Sequence, residues 1–232
     1  MPNKRLVIAG FVPLCAMWAG DYGKPAGPSA EVAQAWLQFG NERHVSGKYV
    51  HWHQTPERRK EVAKGQQPYA VIVSCSDSQV PPEIIFDQGL GDVFVVRVAG
   101  HAVGDKEIAS IEYAAAYLRT PFIVVLGHQR CEALEAAISG APAAGHLGSL
   151  LASLASAVSR SKAIPGDPLD NAIQANVETV ADQLRNSQPL LANLVRSGRV
   201  KVAGAYYSLD SGEVRWLVAG PHPSARLAPL PH

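Results

Sequence analysis

The chain predicts an α/β fold, a mixed sheet with a parallel central core flanked by helices and preceded by an N-terminal helical arm. Three observations carry that prediction. Continuous apolar runs over residues 69–73 and 122–126 read as strands buried on both faces, as parallel strands are. Between them, strand-like and helix-like segments alternate, the pattern of right-handed crossovers in a parallel sheet. Near the C-terminus, residues 200–209 and 214–218 flank Asp210-Ser211-Gly212-Glu213, residues that suit a turn, so the last two strands read as a hairpin.

Taken in order, the chain opens with Lys4 and Arg5, followed by an uncharged apolar stretch over residues 6–19. This is the layout of a secretory signal, although Met17 and Trp18 stand before Ala19 where small residues are wanted, and Leu14-Cys15 is a weak lipoprotein match. The stretch is short for a membrane span, which needs about 20 apolar residues. Residues 1–20 are therefore expected to be a signal peptide, with an uncleaved anchor or a plain apolar arm as alternatives. The expected location is periplasmic or secreted, the alternative being cytoplasmic.

Ser29 is placed to cap a helix in which Val32, Trp36 and Phe39 recur at helical spacing, and Thr55-Pro56-Glu57 starts another with proline at its first position. After the first strand come a short helix at Pro81-Pro82, a strand over 93–98, a helix over 105–118 and the strand ending at residue 126. Helices are predicted over 131–139, 148–159, 168–184 and 189–197. Residues 21–219 read as a single domain without internal repeats, and the tail over 220–232, with Pro221, Pro223, Pro229 and Pro231, as having no packed structure of its own.

With 232 residues and 47% hydrophobic content, a large single core is available. The formal net charge of +1 is spread along the chain, leaving no polybasic stripe for nucleic acid or an anionic membrane. Cleavage of the leader would remove Lys4, Arg5 and Cys15, turning the net charge slightly negative and leaving Cys75 and Cys131 as the two cysteines. In an oxidising compartment those thiols can pair instead of binding metal, and zinc would protect them.

Chemistry concentrates where the two apolar runs stop. Cys75-Ser76-Asp77-Ser78-Gln79 follows the first run and Gly127-His128-Gln129-Arg130-Cys131 the second. Ligands in open α/β sheets gather outside the carboxyl ends of the strands, so the two strings converge at one edge. Cys75, His128 and Cys131 make the Cys₂His set that leaves a tetrahedral zinc one exchangeable position, with the anionic Asp77 beside it. A lone cysteine or histidine is more often a packed residue than a ligand, and it is the combination that points to metal. Other candidates are weaker. Gly89-Leu90-Gly91 lacks the third glycine of a dinucleotide-binding turn, His51-Trp52-His53 reads as a loop, and His146 and His222 have no supporting residues nearby.

Over residues 36–217 the chain resembles the β-class carbonic anhydrases. Cys-Ser-Asp-Ser, Pro-Pro-Glu, Phe-Asp-Gln-Gly, Val-Val-Arg-Val-Ala-Gly, Ile-Glu-Tyr-Ala and Gly-His-Gln-Arg-Cys occur in family order. The resemblance implies zinc on Cys75, His128 and Cys131, with Asp77 in the catalytic pair or as a fourth ligand in a closed state. It also implies reversible hydration of carbon dioxide to bicarbonate and a homodimer or homotetramer whose N-terminal helices reach across a partner. Gly100, His101 and Phe94 are candidate substrate-pocket residues. Zinc can lower the pKa of bound water from 15.7 to about 7. Two thiolates cancel the charge of Zn²⁺ where three neutral histidines would not, so this site is expected to acidify its water less and to work best at alkaline pH.

Three residues depart from the family pattern. The motif arginine that holds the aspartate away from zinc is Gln79 here, and a neutral amide competes for Asp77 less well than a guanidinium with five donors. The balance is expected to move toward Asp77 on the metal and a slower enzyme. Glu132 follows Cys131 where glycine is common, as a helix-start residue favoured by the dipole or as an added negative charge at the site. His101 replaces an asparagine, as a packed residue or as a proton shuttle. Arg97 and Arg130 are alternative partners for Asp77.

Other readings keep the metal but change what the protein does with it. One is a zinc-loaded, catalytically weak or silent member acting as a scaffold or bicarbonate-responsive protein, and another is a hydrolase of carbonyl sulfide or carbon disulfide. A metal-free reading takes Cys75 as nucleophile, His128 as base and Asp77 as orienting group.

Overall fold

A computed structural model describes residues 27–140 and 142–217. The leader with Cys15, and the proline-rich tail with His222, lie outside the described residues. The strands are β1 (Ala70–Ser74), β2 (Val93–Arg97), β3 (Phe122–His128), β4 (Lys201–Tyr207) and β5 (Val214–Trp216). They form one sheet in the order β2-β1-β3-β4-β5, parallel except for the β4–β5 hairpin. Every residue of β1 and β3 is buried, as two-sided coverage of the central strands demands.

The helices are α1 (Ala30–Ser46), α2 (Pro56–Val62), α3 (Pro82–Ile85), α4 (Asp105–Glu112), α5 (Glu132–Ser139), α6 (Leu147–Ser161), α7 (Pro168–Asn186) and α8 (Leu190–Arg196). Ser29 Oγ accepts from Val32 N–H and Thr55 Oγ1 from Arg58 N–H, the two caps expected from the sequence. The helix predicted over 105–118 is α4 followed by a π-helical turn, Tyr113–Tyr117. No helix among the described residues is long and apolar enough to cross a membrane.

Strand alternation sorts the core onto the two sheet faces. On one face Ala70, Ile72, Val124 and Ala203 pack with Ala33 and Leu37 of α1, Leu134 of α5 and Leu154 of α6. On the other, Val71, Val73, Ile123 and Val125 pack with Ile111, Ala114, and Leu191 and Leu194 of α8. Helix α7 serves both, with Ala172 and Ile173 in the first cluster and Val177, Val180, Ala181 and Leu184 in the second. Its approach to β3 depends on Gly127, where an added Cβ would lie 2.6 Å from Val177 Cγ2 and 2.9 Å from Ile173 Cγ2.

The N-terminal arm is tied to this body by polar contacts. Asp87 Oδ2 accepts from Arg43 Nε at 2.5 Å and from Val50 N–H at 3.1 Å, and its Oδ1 accepts from His51 N–H at 3.2 Å. Burial works against the Asp87 charge, but these donors outweigh it and hold the carboxyl below the ordinary carboxylate range.

Candidate metal centre

Two neighbouring strands deliver the ligands. Ser74 of β1 is in register with Leu126 of β3, so Cys75 leaves β1 beside Gly127 while β3 runs on to end at His128. Arg130 then turns the chain through a left-handed conformation, φ 55°, and Cys131 becomes the residue preceding α5. A guanidinium clamp fixes that turn: Arg130 Nη1 and Nη2 donate to Asp210 at 3.1 and 2.8 Å, and Gln129 Nε2 donates to the same carboxylate at 2.8 Å.

One ligand atom from each of Cys75, Asp77, His128 and Cys131 lies within 4.8 Å of all the others, and the two sulfurs and His128 are buried. The spacings suit a tetrahedral ion. Sulfurs at about 2.3 Å from zinc would stand roughly 3.8 Å apart, and an imidazole nitrogen and carboxylate oxygen at about 2.0 Å roughly 3.3 Å apart. The Cys75 and Cys131 sulfurs are 3.9 Å apart, and His128 Nε2 is 3.2 Å from Asp77 Oδ2. Those last two atoms are buried and have no hydrogen-bond partner, the condition of donor atoms facing a cation. His128 Nδ1 lies 3.0 Å from the Gln129 carbonyl oxygen, a contact that places the proton on Nδ1 and the lone pair on Nε2. The residues present therefore fit zinc.

Without metal the two thiols share a proton. The hydrogen bond from Cys131, with those from the Asp77 and Gly100 N–H groups, holds the Cys75 thiol far below its ordinary pKa despite burial. The same pairing, together with burial, pushes Cys131 up. Burial, and next the charge on Cys75, raises Asp77, with a smaller contribution from Glu132. Glu132 itself is exposed in the first turn of α5, where the dipole favours it.

The structure places the remaining expected site residues as follows. Gln79 is exposed, and among the described residues none hydrogen-bonds its side chain. Neither alternative arginine meets the Asp77 carboxylate: Arg130 is spent on Asp210, and Arg97 donates to backbone carbonyls, Nε to Cys75 O at 2.9 Å and Nη2 to Asp77 O at 2.5 Å. Gly100 lies against the centre, its N–H donating to Cys75 Sγ at 3.2 Å.

His101 is fully buried, with Nε2 2.8 Å from Asn176 Nδ2, and burial lowers its pKa to about 4. The ring is enclosed, and its Nδ1 is buried without a hydrogen-bond partner. Phe94 is not brought to the cluster within the chain, because alternate residues of β2 face opposite ways. Val93 and Val95 pack on the Cys75 side of the sheet, while Phe94 and Val96 pack on the other, the Phe94 ring 6.4 Å from that of Tyr113. His53 Nδ1 is 2.6 Å from Asp92 Oδ1 and His51 is exposed, so the His-Trp-His string remains a loop.

Asn176 is a site residue that the sequence does not single out. Its amide donates to Gly100 O at 2.8 Å and contacts His101, holding the loop that wraps Cys75. The available signal was a polar residue on the apolar face of α7, between Ile173 and Val177.

Comparison with known proteins agrees with this centre. A family model described as carbonic anhydrase matches residues 70–214. A protein named carbonic anhydrase 2 in Mycobacterium tuberculosis is 40% identical over 192 residues, covering 80% of this chain and 92% of the relative. A carbonic anhydrase of Mycolicibacterium smegmatis is 35% identical over 193 residues, covering 81% and 94%. Among solved structures, one from a study of two tetrameric β-carbonic anhydrases of the ascomycete Sordaria macrospora superposes with a TM-score of 0.66 at 29% identity, covering 73% of this chain and 90% of that one.

Proposed function

We propose a function from one premise: the chain belongs to the β-carbonic anhydrase family. It is a carbonic anhydrase, a zinc-dependent lyase that interconverts carbon dioxide and bicarbonate. The observation that carries the residue assignment is the four-atom cluster with tetrahedral spacings. Cys75, His128 and Cys131 would hold the ion, and Asp77 Oδ2 stands where a fourth donor belongs. Zinc supplies Lewis acidity there, acidifying water so that it can add to carbon dioxide.

The protein's own residues do the rest. The Gly100 N–H and the Gln129 carbonyl orient Cys75 and His128. Asp77 would be the gate: its carboxylate, facing His128 Nε2, would supply a fourth donor, and withdrawn it would accept the proton of an incoming water. Withdrawal needs a donor to hold the carboxylate, and Gln79 offers two neutral N–H groups where a guanidinium would offer charge-assisted ones roughly twice as strong. The resting site is therefore closed and turnover attenuated, a reading supported by the 3.2 Å contact and by the unbonded Gln79. The same contact favours the catalytically weak member as the second reading.

Gln79→Arg beside the natural protein tests this, with zinc content and stopped-flow carbon dioxide hydration measured on both. A large rise in rate at equal zinc is expected, whereas equal rates would show that Asp77 is already held away. Hydration measured from pH 6.5 to 9 should climb toward the alkaline end, and a flat profile would count against the thiolate charge argument. Activity that survived complete chelation, with Cys75 open to alkylation, would instead support the thiol enzyme.

Assembly as a homodimer or homotetramer is supported by the exposed aromatic surface beside the edge strand β2, where the tilted rings of Tyr113 and Tyr117 lie 5.7 Å apart. Light scattering on the purified protein checks it. Export rests on Lys4, Arg5 and the apolar stretch after them. N-terminal sequencing of the cell-fractionated protein decides between cleavage and retention.

A further inference from the structure

We propose that Arg97 is the positioning residue of the metal centre, holding Cys75 and Asp77 in their metal-binding pose through their main-chain carbonyls. The inference rests on the zinc reading of the cluster and extends it to a residue outside the ligand set. Arg97 closes β2 in register with Ser74, the last residue of β1, so its side chain starts beside the point where Cys75 leaves the sheet. Its guanidinium donates Nε–H to Cys75 O at 2.9 Å and Nη2–H to Asp77 O at 2.5 Å, one bond to each of the two cluster residues on this loop.

Beyond the end of a strand, carbonyls have no ladder partner, and a part-buried carbonyl must find another donor. Within the turn itself Asp77 O accepts from Val80 N–H at 3.1 Å, but Cys75 O depends on Arg97. Gln79 adds nothing to the loop, since its side chain is exposed and makes no hydrogen bond among the described residues. One rigid fork therefore sets the spacing of the Cys75 and Asp77 main chain. A lysine could not reproduce it, because its single ammonium has neither the planar geometry nor the two parallel N–H directions.

The test compares three full-length proteins: natural, Arg97→Lys and Gln79→Ala. Zinc affinity is measured by competition with a chromophoric chelator, and coordination by the visible spectrum of the cobalt-substituted protein. R97K is expected to lose about tenfold or more in zinc affinity, the scale of losing an orienting partner of a ligand. Its cobalt spectrum should shift while the melting temperature of the metal-free protein stays put, which a merely structural role would not allow.

Natural affinity and spectrum in R97K would overturn the proposal, as would a loss of affinity matched by an equal loss of stability in the metal-free protein. If R97K does not fold, Arg97→Gln is judged by the same criteria. Gln79→Ala must keep zinc affinity within about twofold, and a tenfold fall would overturn the claim that residue 79 is idle. A natural protein that fails to hold one zinc per chain would overturn the metal reading itself, an outcome distinguishable from an R97K that binds normally.

Discussion

His101 shows how one buried titratable ring links packing to pH. Burial holds its pKa at about 4, against 6.5 for the exposed ring of an unfolded chain. Between those values the unfolded chain takes up the extra proton, so the stability tied to neutral His101 is whole above pH 6.5 and is lost as pH falls toward 4. The loss amounts to about 3 kcal/mol at the acid end. His101→Asn should flatten it: urea unfolding at pH 7, 5.5 and 4.5 is expected to show the natural protein losing more stability than the variant. Parallel curves would show that His101 does not titrate with folding. The sequence identified His101 as a departure, but its polar partner, Asn176, lies 75 residues away in the chain and on another element.

Helix α7 crosses β3 closely, and Gly127 is the residue that lets it. Gly127→Ala would set a Cβ 2.6 Å from Val177 Cγ2 and force β3 or α7 to move. Overpacking of this kind costs about 1–3 kcal/mol. Because His128 is the next residue, the shift also reaches a metal ligand, so a lower melting temperature should come with weaker zinc retention on dialysis. A variant with normal melting and full zinc would mean that α7 yields without disturbing the strand end. The elements themselves were legible in the sequence. Continuous apolar runs marked β1 and β3, while Ser29 and Thr55 marked helix starts that the structure caps through those hydroxyls. The π-helical turn at Tyr113–Tyr117 was not, since helical spacing of apolar residues does not separate one helical hydrogen-bond register from another.

At the scale of the molecule, zinc would bridge β1, β3 and the start of α5, so metal and fold should stabilise each other. At free zinc a thousandfold above its dissociation constant the native state gains about 4 kcal/mol. For a chain of this size that corresponds to roughly 8–16 °C in melting temperature. Chelation followed by thermal unfolding should reveal the loss, and re-addition of zinc the recovery, whereas an unchanged melting temperature would contradict a ligand set drawn from three elements. The sequence by itself determined the ligand set and the family. Residue type, spacing and the strand-end positions of Cys75, His128 and Cys131 are local properties, and buried parallel strands place such ends along one edge. Only the tertiary structure decided which face Phe94 takes, that His101 is enclosed, that Arg97 grips the ligand loop through its carbonyls, and that Asp77 faces His128. Those outcomes depend on distant segments meeting, and hydrogen-bond geometry between them is set by the packed fold and not by any local pattern.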